Sequence, residues 1–89
     1  MNNEMIVKIE KCLNKLGKRP VRIKQKGFII SQFFIDKLIY KIQNDILNIK
    51  DKIKDEYFAL NLNQVYQIEI SENKIILFLD NDTEIEISI

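Results

Sequence analysis

Apolar side chains near the start of the chain recur every three or four residues, which is the period of an amphipathic helix. They place one apolar stripe on a helix over Asn3–Leu16: Met5, Ile9, Cys12, Leu13 and Leu16. Gly17 follows where a helix C-terminus commonly ends in glycine. Beyond Pro20, the alternation over Val21–Lys24 predicts a short strand, and Gly27 permits the turn after it.

The next region, from Ser31 to about Glu56, contains no Gly or Pro and is predicted to be one long helix capped by Ser31. Six isoleucines repeat at intervals of four and three, as at the a and d positions of a coiled coil: Ile35, Ile39, Ile42, Ile46, Ile49 and Ile53. They form either a core-facing stripe or a seam between two copies. A helix of about 25 residues spans roughly 37 Å and a seven-residue strand about 23 Å, so this helix would extend beyond its sheet. The overhang would be covered either by the first helix or by the same helix of a second copy, which makes a homodimer an expectation.

From Val65 onward the period changes to two, which predicts strands near Val65–Ile70, Lys74–Leu79 and Thr83–Ile89. A two-residue turn would pair Ile70 with Ile75 and Ile68 with Leu77. A three-residue turn would then pair Leu77 with Ile85 and Ile75 with Ile87. In this register one face of the sheet, the inner face, collects Tyr66, Ile68, Ile70, Ile75, Leu77, Leu79, Ile85, Ile87 and Ile89.

These elements predict a single α+β domain over residues 1–89 with two layers. Its order is an N-terminal helix, a short strand, a long amphipathic helix and a three-stranded antiparallel meander. Val21–Lys24 is a possible fourth strand at the edge of that sheet. The opposite, outer face of the meander would show two apolar side chains among carboxylates. These are either covered by another element of the domain or, if exposed, form the best candidate partner-binding patch: Glu69, Ile76, Phe78, Glu84 and Glu86.

Charge is divided along the chain. Residues 1–54 contain thirteen Lys/Arg and five Asp/Glu, whereas residues 55–89 contain one Lys and eight Asp/Glu. The densest cationic segment offers a candidate nucleic-acid-binding surface: Lys8, Lys11, Lys15, Lys18, Arg19, Arg22, Lys24 and Lys26. A second interpretation is architectural. If Val21–Lys24 joins the sheet, Arg22 and Lys24 lie beside Glu69, or beside Glu84 and Glu86, and the opposite charges neutralise each other.

The sequence contains few side chains of the kinds that enzymes use as nucleophiles, general bases or metal ligands. The chain has no histidine, one cysteine and two glycines ten residues apart, so it lacks imidazole couples, the usual zinc ligands and a glycine-rich phosphate loop. Asp80–Glu84 carries oxygen ligands suited to a cation, but Asp and Asn are also ordinary hairpin-turn residues. We therefore expect no enzyme activity, no cofactor and no bound metal.

The sequence favours a non-enzymatic protein-interaction module, a small dimeric regulator or inhibitor. Heavy use of Lys, Ile and Asn is typical of A+T-rich genomes and suggests a low-GC bacterium, phage or plasmid. The expected partner is another protein, with a basic surface if the carboxylates make the contact. The alternative is a nucleic-acid-binding accessory protein using residues 8–26. The absence of a signal-peptide pattern and of long apolar runs predicts a cytoplasmic protein without a membrane segment.

Overall fold

The computed structural model describes residues 3–54 and 57–89. Within those ranges one helix precedes eight strands: α1 (Asn3–Leu16), β1 (Val21–Lys26), β2 (Ser31–Ile35), β3 (Leu38–Gln43), β4 (Ile46–Asp51), β5 (Tyr57–Asn61), β6 (Val65–Ser71), β7 (Lys74–Leu79) and β8 (Glu84–Ser88). A single 3-10 turn, Leu62–Gln64, joins β5 to β6.

Helix α1 has the predicted bounds and the predicted apolar face. Ile9, Leu13 and Leu16 are fully or almost fully buried, and Cys12 lies beside them. The helix ends at the predicted glycine, where the Gly17 N–H donates to the Leu13 carbonyl oxygen at 2.8 Å. Its apolar face joins the same buried cluster as both sheets, so the helix anchors the N-terminus on the core.

The larger sheet is antiparallel, with strand order β2-β1-β8-β7-β6. Its register confirms the pairs predicted for the meander, including Ile70 with Ile75 and Leu77 with Ile85. The possible fourth strand is present as β1, which pairs with β8. A fifth strand, β2, pairs with the other side of β1 and forms one edge of the sheet.

The prediction of a long helix after Ser31 is wrong, and with it the predicted α+β class, because the fold is mostly β. Residues 31–51 form β2, β3 and β4, and β3-β4-β5 make a second antiparallel sheet. Asn44 and Asp45 have φ values of 53° and 62°, which suit a two-residue hairpin turn with both central residues in the left-handed region. The predicted helix end at Glu56 lies outside the described residues.

The six isoleucines of the predicted dimer seam do not share one surface. Ile35 and Ile49 are buried in the core, and Ile39 and Ile53 are exposed. The remaining two, Ile42 and Ile46, are half-buried. Because the helix that would align them is absent, the seam is not formed, and the predicted homodimer stays a prediction that needs another basis.

The inner face of the larger sheet is confirmed at its centre, where Ile75, Leu77 and Ile87 are buried. At Tyr66 the prediction is wrong, because the β6–β7 register shifts between Val65 and Gln67. This bulge gives the inner position to the buried Val65 and leaves Tyr66 64% exposed. The rim positions Ile70 and Ile89 are also largely exposed.

Asp51 is a buried carboxylate that fixes the end of β2. Its oxygens accept the backbone N–H groups of Asp36 at 2.9 Å, Ile53 at 2.9 Å and Lys37 at 3.4 Å. Burial on its own would raise the pKa of Asp51, but these bonds to the ionised form outweigh it and lower the pKa below its ordinary value. One side chain therefore ties the turn after β2 to the turn after β4.

Candidate protein-interaction surface

The outer face of the larger sheet holds all five residues of the predicted partner-binding patch. Strand register and side-chain alternation place them on one side: Glu69, Ile76, Phe78, Glu84 and Glu86. Glu69 is opposite Ile76, Phe78 is opposite Glu84, and Ile76 is opposite Glu86. The helix contributes to the core on the other side of the sheet. The geometry thus assembles the patch that the sequence predicted.

Aromatic groups lie on this face near the β6 edge of the sheet. The rings of Tyr66 and Phe78 are 6.4 Å apart at an interplanar angle of 45°, within the range for favourable tilted contacts. Phe78 and Ile76 are half-buried, and Tyr66 is exposed. The bulge in β6 turns Tyr66 toward this face, so the apolar area is larger than the predicted pair alone.

The outer face is mixed in charge, not purely acidic. Lys24 of β1 is the register partner of Glu86, and Lys26 is the partner of Glu84. On the other side of Glu86, the Lys74 Nζ lies 3.6 Å from Glu86 Oε1, and the Glu86 side chain is only 14% exposed. The register thus places Lys24 and Lys26 of the basic first half beside carboxylates of the acidic second half, as the architectural interpretation predicted, whereas the 3.6 Å ion pair joins two residues of the second half.

The predicted basic surface is divided by the fold. Lys8, Lys11 and Lys15 are exposed on α1, which packs against the inner face. Arg22 and Lys24 alternate with the inward-facing Ile23 and so belong to the outer face. Lys18 and Arg19 lie in the exposed connection between the helix and β1, and Lys26 ends that strand. Lys8, Lys11 and Lys15 line one groove, and Lys15 also lines a second groove with Lys18 and Arg19. The eight cations are thus divided between these grooves and the outer face.

A feature with no predicted role lies between β1 and β2. Phe28, Ile29 and Ile30 are consecutive and are 105%, 70% and 69% exposed. The turn before β8 is close, since a side-chain carbon on Gly27 would lie 3.0 Å from Thr83 Oγ1. The signal in the sequence is the run Gly27–Ile35, nine residues without a charge in a chain that is 30% charged.

Cys12 Sγ and Ser88 Oγ are two buried polar groups of the described residues. Cys12 is buried, and burial raises the pKa of its thiol despite the opposing effect of Lys15, so it carries little thiolate. No group of three or more metal-ligating side chains occurs across residues 3–54 and 57–89. Ser88 Oγ is buried without a hydrogen-bond partner, beside Lys74 and Arg22 in the strand register.

Comparisons with models of known protein families, with curated proteins and with solved structures found no match. In the part of the chain that the structure describes, no helix has both the length and the apolar character needed to cross a membrane. The surfaces that bear on function are the outer face of the larger sheet and the exposed apolar connection Phe28–Ile30.

Proposed function

We propose that this protein is a non-enzymatic interaction module that binds another protein through the outer face of its larger sheet. The observation that carries the proposal is the convergence of Tyr66, Ile76 and Phe78 on one side of the sheet, with rows of charge on the adjacent strands β8 and β1. Interface centres are enriched in aromatic residues and rims in polar ones. The partner surface should offer apolar groups at its centre and charges of both signs around them.

The charges of this face would act on orientation more than on affinity. β1 presents Arg22 and Lys24, and the adjacent β8 presents Glu84 and Glu86. A partner that places carboxylates over the β1 cations and cations over the β8 carboxylates would be attracted. A partner displaced by the width of one strand would place like charges opposite each other and be repelled. Such a contact suits a small regulator or inhibitor that works by covering a partner's surface, with no chemistry of its own.

Nucleic-acid binding is the alternative, and the division of the basic residues argues against it. Phosphate attachment gains strength from several cations that act on one backbone. Here Lys24 and Lys26 are register partners of Glu86 and Glu84, whose carboxylates repel phosphate. The helix lysines remain as a smaller stripe, and Lys8 also lies 3.7 Å from Glu4.

Two matched tyrosine variants test the proposal. Tyr66→Ala removes an exposed ring from the outer face, and Tyr57→Ala removes an equally exposed ring from β5 of the smaller sheet. Used as immobilised baits in extract of the source cells, the wild type and Tyr57→Ala should retain the same protein. Tyr66→Ala should lose it. Retention that is unaffected by Tyr66→Ala, or lost equally in both variants, would contradict the assignment of the outer face.

The alternative has its own measurement, fluorescence anisotropy with a labelled DNA duplex at about 50 mM salt, where phosphate attachment is strong. We expect no saturable binding. Saturable binding that weakens with salt and is lost in the triple variant Lys8→Glu, Lys11→Glu, Lys15→Glu would replace our proposal with the nucleic-acid function.

A further inference from the structure

Strand β2 is an edge strand with no charged side chain. Among residues 3–54 and 57–89 it pairs with β1 alone, and its sequence, Ser31–Ile35, contains two phenylalanines and an isoleucine. The apolar connection Phe28–Ile30 leads directly into it. Exposed edges without Lys, Pro or a bulge can pair with another strand, which is why most proteins protect them.

The backbone of β2 offers hydrogen-bonding groups away from β1. The Phe34 carbonyl oxygen accepts a 3.5 Å bond from Lys54 Nζ, a side chain beyond the edge, which indicates that this carbonyl points away from β1. Backbone direction alternates along a strand, so the N–H and C=O groups of Gln32 point outward with those of Phe34. The groups of Phe33 then point toward β1, where its register partner is Ile23.

The opposite edge of the same sheet is protected. β6 has a bulge between Val65 and Gln67 and the exposed carboxylate of Glu69. Both devices hinder the addition of a strand. Only β2 of the two edges is therefore suited to pairing with another backbone.

We propose that two copies of this chain associate by antiparallel pairing of their β2 edges. The outward groups allow Gln32 to face Gln32 of the second copy, with Ile30 facing Phe34. This register covers exposed apolar side chains on both copies and places no like charges opposite each other. It would join the two larger sheets into one ten-stranded sheet with a continuous outer face. The Lys54 side chain, 41% exposed, has to move aside.

The area available fits a reversible dimer. Phe28, Ile29, Ile30 and Phe34 are all more than half exposed. With roughly 150–250 Å² for a phenylalanine, the four expose on the order of 500 Å² per copy, or about 1,000 Å² over two. This is the lower end of the range for specific interfaces, so we expect dissociation in the micromolar range or weaker. The inference does not depend on the proposed partner, because β2 and the Tyr66-bearing strand β6 form opposite edges of the sheet.

Sedimentation equilibrium of the purified protein over 10 µM to 1 mM tests this inference with one substitution at two edges. Gln32→Lys and Gln67→Lys are the same change at exposed positions on β2 and β6. Gln32→Lys places two cations opposite each other at the two-fold axis and should weaken the dimer at least tenfold. Gln67→Lys should leave it unchanged. Circular dichroism confirms that both variants fold.

A wild-type protein that remains monomeric at 1 mM would overturn the inference. Equal weakening by the two substitutions would do the same, because it would place the contact elsewhere. Should Gln32→Lys lose its fold, Phe34→Lys at the exposed end of β2 supplies the same comparison. A failure of this test leaves the outer-face proposal intact, since Tyr66→Ala is measured against a different protein.

Discussion

The two edges of the larger sheet, β2 and β6, differ in every property that governs strand addition. β6 is bulged, carries Glu69 and follows the 3-10 turn at Leu62–Gln64. β2 is regular over all five register pairs with β1, lacks charge and follows an apolar connection. The two edges show that a small sheet can be protected against strand addition at one edge, β6, and remain open to it at the other, β2. Regularity at β2 depends on Asp51, which holds its C-terminal end.

The largest expected effect comes from removing that anchor. Asp51→Ala deletes the acceptor for three backbone N–H groups in the turns after β2 and β4. Buried donors without partners are costly, so we expect the melting temperature to fall by roughly 10 °C. Asp80→Ala, at an exposed turn position, is the control and should change it by about 2 °C or less. Equal melting temperatures for the two variants would refute an anchoring role.

A second effect follows from titrating the same carboxyl. Because the folded-state pKa of Asp51 is lowered, its ionisation stabilises the fold above the ordinary carboxyl pKa of about 3.9, and this contribution is lost as the pH falls through the folded-state value. Urea midpoints of the wild type and Asp51→Asn should differ by a constant amount between pH 5 and 8. The difference should shrink toward pH 2. A difference that does not change with pH would show that the charge of Asp51 is immaterial.

A third test removes the protection of β6. In the variant Gln67→Thr, Glu69→Thr, two exposed polar residues of that strand become uncharged strand formers. With two unprotected edges per copy, species larger than a dimer should appear in sedimentation velocity at high concentration. If the bulge alone protects β6, the variant will match the wild type, and the role assigned to Glu69 is wrong.

The smallest expected effect concerns Lys54, whose Nζ contacts the Phe34 carbonyl oxygen at 3.5 Å and Asp36 at 3.4 Å. Lys54→Ala should strengthen self-association about two- to threefold, because the edge no longer has to displace a side chain. Lys52→Ala, in the same turn, is the control. Sedimentation equilibrium measures both, and a weaker dimer in Lys54→Ala would mean that this lysine supports the contact.

Much of the larger sheet could be predicted from the sequence, because the number of residues in a hairpin turn determines which residues of the two strands face each other. A two-residue turn and a three-residue turn fixed which isoleucines face each other on β6, β7 and β8, and the observed pairs agree. Helix α1 was predictable because its stripe, its glycine and Pro20 all agreed. The bulge at Tyr66 could not be read from alternation, since a bulge interrupts the period of two.

Residues 31–51 show why spacing alone was misleading. Intervals of three put Ile39 and Ile42 on opposite faces of β3, and Ile46 and Ile49 on opposite faces of β4. The true alternation has a period of two and pairs Leu38 with Tyr40 on β3 and Leu47 with Ile49 on β4. The Asn44-Asp45 turn was the available signal, together with the β-branched and aromatic composition.

The residues of the candidate surfaces also fall into two groups, those that were predictable from the sequence and those that were not. Glu84, Glu86 and Phe78 followed from register and were predictable. The exposure of Phe28 and the outward backbone of Gln32 depend on which strand forms the sheet edge, and that requires knowing that residues 31–35 are a strand. Asp51 was missed because a carboxylate is not expected in a core until its backbone donors are placed around it.

Amide hydrogen exchange at two protein concentrations compares the edges most directly. If two copies pair through β2, the Gln32 and Phe34 amides should exchange more slowly at 1 mM than at 10 µM, while the Ile68 and Ile70 amides, which point away from β7 at the other edge, keep the same rate at both. Rates at Gln32 and Phe34 that do not depend on concentration, or protection that rises equally on β6, would contradict the account.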